Sequence, residues 1–457
     1  MEFLPWTLFT DLGLIALLLL LGTIIRAKVK LIQRIFLPAS IIAGILGLAL
    51  GPNGFNIIPF SGQIAAYPGI LNAMIFGALP LISPKVEWRK ISNRVGRMWS
   101  YSQIPLLFMW GAGLLFSLVL LNPIWNDLHA GFGLILAAGF VGGHGTAAAI
   151  GDAFSQYGWE GATSLAMTSA TVGILSAILI GLVWIKRGSM KGDTKYLTSF
   201  DKLPKELKTG LIPQNSRKKT EVDTVSSMSV DPLIFHASLI IGIAFIAYYL
   251  SGVGMSILPN IAIPIFSVAF LIGLAVRKIL SVTKTEDYFS KDLIGRISGG
   301  AADLLVAFGI ASISLPVVVQ YIVPLSILFA FGLFIAWFQF FVLSPRFFQE
   351  HWFERGIFTW GWTTGAVAMG IALLRIVDPD LKSNTLDDFG LAFIAIAPVE
   401  LMIITLAPIM VVNSQSWLFI TLTLGFTFII MIIAMRNGWF RLQLNAKITK
   451  GAHEVSK

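Results

Sequence analysis

The chain has 457 residues, 56% of them hydrophobic and only 12% charged, with a mean hydropathy of +0.80. So apolar a composition excludes an ordinary soluble domain and points to a protein dissolved in lipid. The formal charge of +9 is carried by Lys and Arg in loops between apolar runs, where positive-inside placement accounts for it without nucleic acid; with no cysteine, disulfides, thiolate nucleophiles and Cys-based metal sites are excluded.

Crossing roughly 30 Å of hydrocarbon takes about 20 apolar residues, and runs of that kind recur along the whole chain. The first, 4–25, follows 1-MEFLPWTLFTD-11, which lacks a basic n-region and a small-residue cleavage site, so it reads as a retained helix and not a signal peptide. Spans are expected next at 36–58, 65–82 and 100–121, then an interrupted segment at 130–154 and a span at 161–185. The stretch 186–231, containing 216-SRKKTEVDTVSSMS-229, is polar and without apolar periodicity, a solvated linker. Beyond it spans are expected at 233–250, 261–280, 298–315 and 321–343, with an interrupted segment at 356–375, a span at 389–412 and a last one, without counterpart, at 415–435.

The two halves resemble each other. In 38-PASIIAGILGLA-49 and 264-PIFSVAFLIGLA-275 a proline is followed nine residues later by Gly-Leu-Ala, and 76-FGAL-79 and 308-FGIA-311 sit in the following spans. The common order and spacing suggest an internal duplication. Basic loops at 26–34, 85–97, 186–231 and 277–296, and the basic tail after Met435, are expected in the cytoplasm. Three full crossings between 97 and 186 would put the linker outside, so 130–154 must return to its own side. The same parity between 344-SPRFFQEHWFER-355 and the C-terminus makes 356–375 re-entrant from the opposite side. The expected fold is an all-α polytopic membrane protein of about 11 spans. It comprises an inverted repeat at 1–185, a cytoplasmic linker at 186–231, a second repeat at 232–412, and an extra helix with a basic tail at 413–457; the N-terminus is outside and the C-terminus inside.

Glycines suit such hairpins. Backbone that leaves the helix at membrane depth survives only against protein or a wet cavity. Gly142, Gly143 and Gly145 in 140-FVGGHGTAAAIGDAF-154 permit positive φ and close backbone approach. A half-helix beginning near Thr146 would aim its positive end at an anion, and 361-GWTTGAVAMG-370 offers Thr363, Thr364 and Gly365 in the equivalent place. Two such tips meeting at the midplane would enclose a substrate.

The run 142-GGHGTAAA-149, the trailing 157-YGWEGATSLAMTSATVG-173, the proline-headed second span and 393-FIAIAPVE-400 resemble the bacterial glutamate:sodium symporters over about residues 30 to 412. The resemblance implies two inverted five-helix repeats, each with a re-entrant loop, moving a dicarboxylic amino acid with Na⁺ as coupling ion and no other cofactor. The 2-hydroxycarboxylate transporters look like more distant relatives of the same plan. The chain departs from the family pattern in its second loop, in an arginine at 375, in its long linker and in its extra C-terminal span. The partners expected are a small carboxylate, the bilayer and, at most, a second copy of the chain.

For substrate binding the candidates are Gly142, Gly143, His144, Gly145, Thr146, Thr363, Thr364, Gly365 and Arg375. His144 could instead be a packed helix-end histidine, and Arg375 could snorkel rather than pair with a carboxylate. Asp303 and Glu400 lie in apolar spans, and Asn72 falls within one position of Asp303 when 76-FGAL-79 is laid on 308-FGIA-311. These three oxygen-bearing side chains are candidate Na⁺ or H⁺ sites, with interhelical hydrogen bonds the alternative. Asp152 is expected at the membrane surface, and Pro38, Pro264, Pro398 and Pro408 as kinks. An enzyme is not expected: Gly143-x-Gly145-x-x-Ala148 has no βαβ context, and an intramembrane hydrolase built on His144 and Asp152 would lack a nucleophile or metal. A proton-coupled or uncoupled carboxylate carrier or channel remains the alternative to a sodium symporter.

Overall fold

The computed structural model describes residues 5–83, 93–196, 209–212, 224–226, 228–257, 263–379 and 381–441. Most of the basic loop 85–97, most of the linker and the tail beyond 441 lie outside the described residues.

Among the described residues there are helices and no strands, and nine helices are long and apolar enough to cross a membrane. The first half opens with α1 (Pro5–Lys28) and a short α2 (Lys30–Arg34), followed by α3 (Ala39–Leu50), α4 (Tyr67–Ile82) and α5 (Asn93–Phe116). It continues through α6 (Leu134–Phe140) and α7 (Gly143–Gln156) to α8 (Ala162–Lys191). The second half begins with α9 (Pro232–Ile257), α10 (Ile265–Thr283) and α11 (Lys291–Ala311), then α12 (Leu315–Gln320), α13 (Ile322–Phe338) and the short α14 (Ser344–Phe347). It ends in α15 (Trp352–Thr364), α16 (Val367–Val377), α17 (Thr385–Val412) and α18 (Ser416–Arg436).

Several boundaries differ from expectation for local reasons. The span expected at 36–58 is a helix of only 12 residues, because Gly51-Pro52 stops it. The chain then folds back so that Phe55 N–H donates to the Ala49 carbonyl, and those of Ile57 and Ile58 to Leu50, satisfying the helix end. Conversely, α8 runs past 185 to Lys191, where Gly192 takes a left-handed conformation (φ +73°) and Asp193 N–H closes back on the Gly188 carbonyl. Pro38 and Pro264 occupy extended N-cap positions, and so start helices instead of kinking them. Pro398 and Pro408 do lie inside α17, and Pro80 inside α4.

Packing between the halves is reciprocal. α3 crosses α11, with Gly44 against Ala307 and Ile310 and Gly47 against Ala311, while α4 crosses α10, with Gly77 against Ala269 and Gly273 against the Gly77 backbone. The glycines of the two Gly-Leu-Ala segments, Gly47 and Gly273, thus both sit at a close helix crossing. Each half also sends one span into a π-helical turn before its broken segment: Ser117–Leu121 after α5 and Gln339–Leu343 after α13. These two spans meet where Phe116 stacks on Phe331, ring centres 4.2 Å apart.

Candidate substrate site

Both broken segments are hairpins. In the first, His129, ahead of α6, stacks on Trp159, beyond α7, at 4.3 Å and packs edge-on to Phe154 at 5.2 Å, so the segment leaves where it entered. The reversal is made at Gly143, whose φ of +66° only glycine adopts without cost; a side chain at Gly142 would run into Thr146. In the second hairpin Gly361 of α15 lies against the Gly370 backbone of α16. Its base is held by Arg355, whose Nη2 meets Asp388 Oδ2 of α17 at 2.8 Å, and by Phe358 against Phe389 at 4.7 Å.

α8 shows how the hairpins face each other. Its 30 residues span about 45 Å at 1.5 Å per residue. Thr163, at its start, lies against Gly151 and Ser155, near the base of the first hairpin; Ser169 lies beside Gly139, near that hairpin's tip. Gly173 then meets the Thr364 carbonyl, the Ala177 carbonyl accepts from Trp360 Nε1 at 3.1 Å, and Gly188 touches Phe353, at the base of the second hairpin. The hairpins therefore approach from opposite ends of one helix. Their tips meet: a methyl group on Gly143 would lie 3.0 Å from the Gly365 carbonyl oxygen.

At that junction four helix ends converge. α7 and α16 begin there, α7 one turn earlier than the start expected near Thr146, and present first-turn amides that have no intrahelical acceptor. α6 and α15 end there and present carbonyl groups. Thr363 and Thr364 are fully buried and donate their hydroxyl hydrogens to the Thr359 and Trp360 carbonyls at 2.8 and 2.7 Å, so their oxygens can only accept. His144 is turned toward α8: Nε2 lies 3.2 Å from Thr171 Oγ1, whose own hydrogen goes to the Met167 carbonyl, which puts the ring hydrogen on Nε2.

A cavity of about 200 Å³ opens at the first tip, lined by Gly142, Gly145 and Thr146 of the hairpin, by Phe76 of α4, and by Phe393 and Glu400 of α17. That is the space of roughly seven waters at ~30 Å³ each, suited to a small metabolite. Asn72, 1% exposed, places Oδ1 3.6 Å from where a side chain on Gly145 would begin, and that oxygen has no hydrogen-bond partner among the described residues. A larger cavity of about 470 Å³ between α5, α13 and α18 offers Gln339 and Thr427 as its polar side chains, and its apolar walls give an anion nothing to replace hydration.

Not every candidate is gathered here. Asp303 is exposed on α11 and does not line the cavity, so it forms no cluster with Asn72 and Glu400. Arg375 is half-buried in the last turn of α16, nine residues and about 13 Å from Ala366 at the tip. Its charge there complements the carboxyl end of its own helix instead of reaching a ligand between the tips. Asp152 accepts from Gln156 Nε2 at 3.0 Å, one turn on. Sequence reasoning passed over Asp11, buried and accepting from Ser61 N–H at 2.9 Å and Tyr67 Oη at 2.7 Å; a lone acid in the first apolar span was the available signal. It also missed the Ser267–Thr405 hydroxyl contact at 2.7 Å, which ties α10 to α17.

Residues 126–351 match the Sodium/glutamate symporter family. The match bears out the resemblance seen at 142-GGHGTAAA-149 and takes in just under half of the chain, from the approach to the first hairpin to His351. The second hairpin and α17 lie beyond it. No curated protein matches the chain significantly. The apolar helices make the chain a multi-pass membrane protein, and over residues 126–351 it is similar to a family of transporters.

Proposed function

We propose that the protein is a secondary transporter of inverted-repeat plan that takes up a small carboxylate, glutamate foremost, together with Na⁺ across the cell membrane. Its N-terminus is outside and its C-terminus cytoplasmic. The observation that carries this reading is the meeting of the two hairpin tips, Gly143 against Gly365, part-way along α8. Buried half-helix ends are the feature an ion carrier needs: amides at the starts of α7 and α16 replace water around a carboxylate, and carbonyls at the ends of α6 and α15 can take a small cation. Asn72 Oδ1, buried and without a hydrogen-bond partner among the described residues, is the side-chain oxygen best placed to join those carbonyls.

The test is uptake by proteoliposomes of labelled glutamate, aspartate and citrate with an inward Na⁺ gradient, paired with calorimetry in Na⁺ and in K⁺. Coupling requires each ligand to tighten the other by the same factor. Carboxylate affinity identical in the two salts would rule out sodium coupling. Absence of binding by every carboxylate would overturn the proposed substrate class.

A further inference from the structure

Among the residues lining the tip cavity, one carries an ionisable side chain, and its sign is wrong for an anion. Glu400 lines the space together with Phe393, Ala397 and Ile404 of the same helix and with Gly142, Gly145 and Thr146 of the first hairpin. Among the described residues no lysine or arginine lines it; Arg277, on the neighbouring α10, gives its guanidinium to the Pro80 carbonyl at 2.9 Å. A carboxylate facing a bound carboxylate in surroundings of low dielectric repels it unless a cation lies between them. The described residues lining the cavity do not supply that cation; the coupling Na⁺ is one source, held by the carbonyls and Asn72 at the tips, and an ammonium group on the ligand is the other.

We infer that Glu400 binds the α-ammonium group of the substrate and is the residue that selects amino acids over dicarboxylates of the same length. This rests on the proposed binding of a carboxylate at the tips and adds the chemistry of the α17 side chains that line the same cavity. A zwitterion with a second carboxylate fits both sets of groups: carboxylate on the helix-end amides beside Thr146, ammonium on Glu400. Phe76, Phe270 and Phe393 also line the space, and aromatic rings are compatible with an organic cation. A dicarboxylate without nitrogen would place only negative charge and methylene groups against Glu400. The pairing is reversible and involves no covalent step.

The experiment uses the full-length protein in proteoliposomes and measures inhibition of labelled glutamate uptake by L-glutamate and by glutarate, the same skeleton without the amino group. Direct binding of both is measured at a series of Na⁺ concentrations. The parent is expected to prefer glutamate at least tenfold. Glu400→Gln should lose glutamate affinity by more than tenfold while glutarate affinity holds or improves, bringing the ratio near one. Glu400→Asp, which keeps the charge, should retain a reduced preference, and it stands as the test if the glutamine variant does not fold. An unchanged glutamate-to-glutarate ratio in both variants overturns the inference. So does a rise in the Na⁺ needed for half-saturation that is equal for the two solutes, since that makes Glu400 a sodium ligand. Failure of the parent to bind either solute would instead defeat the proposed function itself.

Discussion

Gly143→Ala isolates the tip-to-tip contact on which the proposed transport site depends. At φ +66° an alanine costs about 1–2 kcal/mol relative to its ordinary conformations. Its methyl would also stand 3.0 Å from the Gly365 carbonyl oxygen, a contact closer than carbon and oxygen normally make, adding about 1 kcal/mol if the neighbouring backbone yields only partly. Together these come to about 2–3 kcal/mol against the apposed tips, a factor of roughly 30 to 150 at 1.4 kcal/mol per tenfold. Because the residue is at a hairpin tip and the hairpin bases are held elsewhere, insertion and thermal unfolding in detergent should change little while glutamate affinity and uptake fall by that factor. Gly145→Ala is the matched control: its methyl meets only Asn72 Oδ1 at 3.6 Å, and it stands in a helix, where alanine gains up to ~1 kcal/mol. Its affinity should stay within about threefold of the parent. Equal uptake by Gly143→Ala and the parent, or a larger loss in Gly145→Ala, would refute the assignment of the junction as the binding site.

Three further outcomes follow from the same geometry. The chain has no native cysteine, so single cysteines at the exposed positions Asn126 and Gly158 should react with an impermeant reagent from one face of the membrane, and those at Glu350 and Lys382 from the other; labelling of 126 and 158 from opposite faces would mean that the first segment crosses fully. Arg355→Met should lower stability by about 3–5 kcal/mol, read as thermal unfolding in detergent, because the Asp388 side chain is wholly buried and loses its cation; adding Asp388→Leu should recover much of it. Arg375→Gln should leave glutamate affinity within about twofold of the parent in a calorimetric titration, the expectation for a charge some 13 Å from the tip; a tenfold loss would place it at the substrate.

What the sequence made legible was whatever is encoded locally. Runs of apolar residues declare spans because the bilayer sets their length, and Gly142-Gly143 declares a reversal because a left-handed residue followed by a crowded turn leaves room for nothing else. The second reversal is fainter for a physical reason: Ala366 leaves the helix in an extended conformation (φ −173°, ψ 164°) open to any residue, and only the single Gly365 precedes it, so no glycine cluster marks the place. The short α3 could have been read from Gly51-Pro52-Asn53-Gly54, a breaker cluster inside an apolar run. Asp303 failed differently. An acid in an apolar span points to a site, and Asn72 is drawn in by its match to Asp303, but matching helices keep their neighbours only where both pack alike. α4 lays Asn72 against Gly145 of the first hairpin, whereas the matching face of α11 is exposed. Arg355 and Asp388 lie 33 residues apart, on either side of a hairpin, and only the return of the chain pairs them. Charges within apolar runs therefore mark where a membrane protein spends polar groups. Which of them hold the fold and which face a ligand depends on the order in which helices are brought together, and in this chain that leaves Glu400 at the cavity while Arg375 and Asp303 stand away from it.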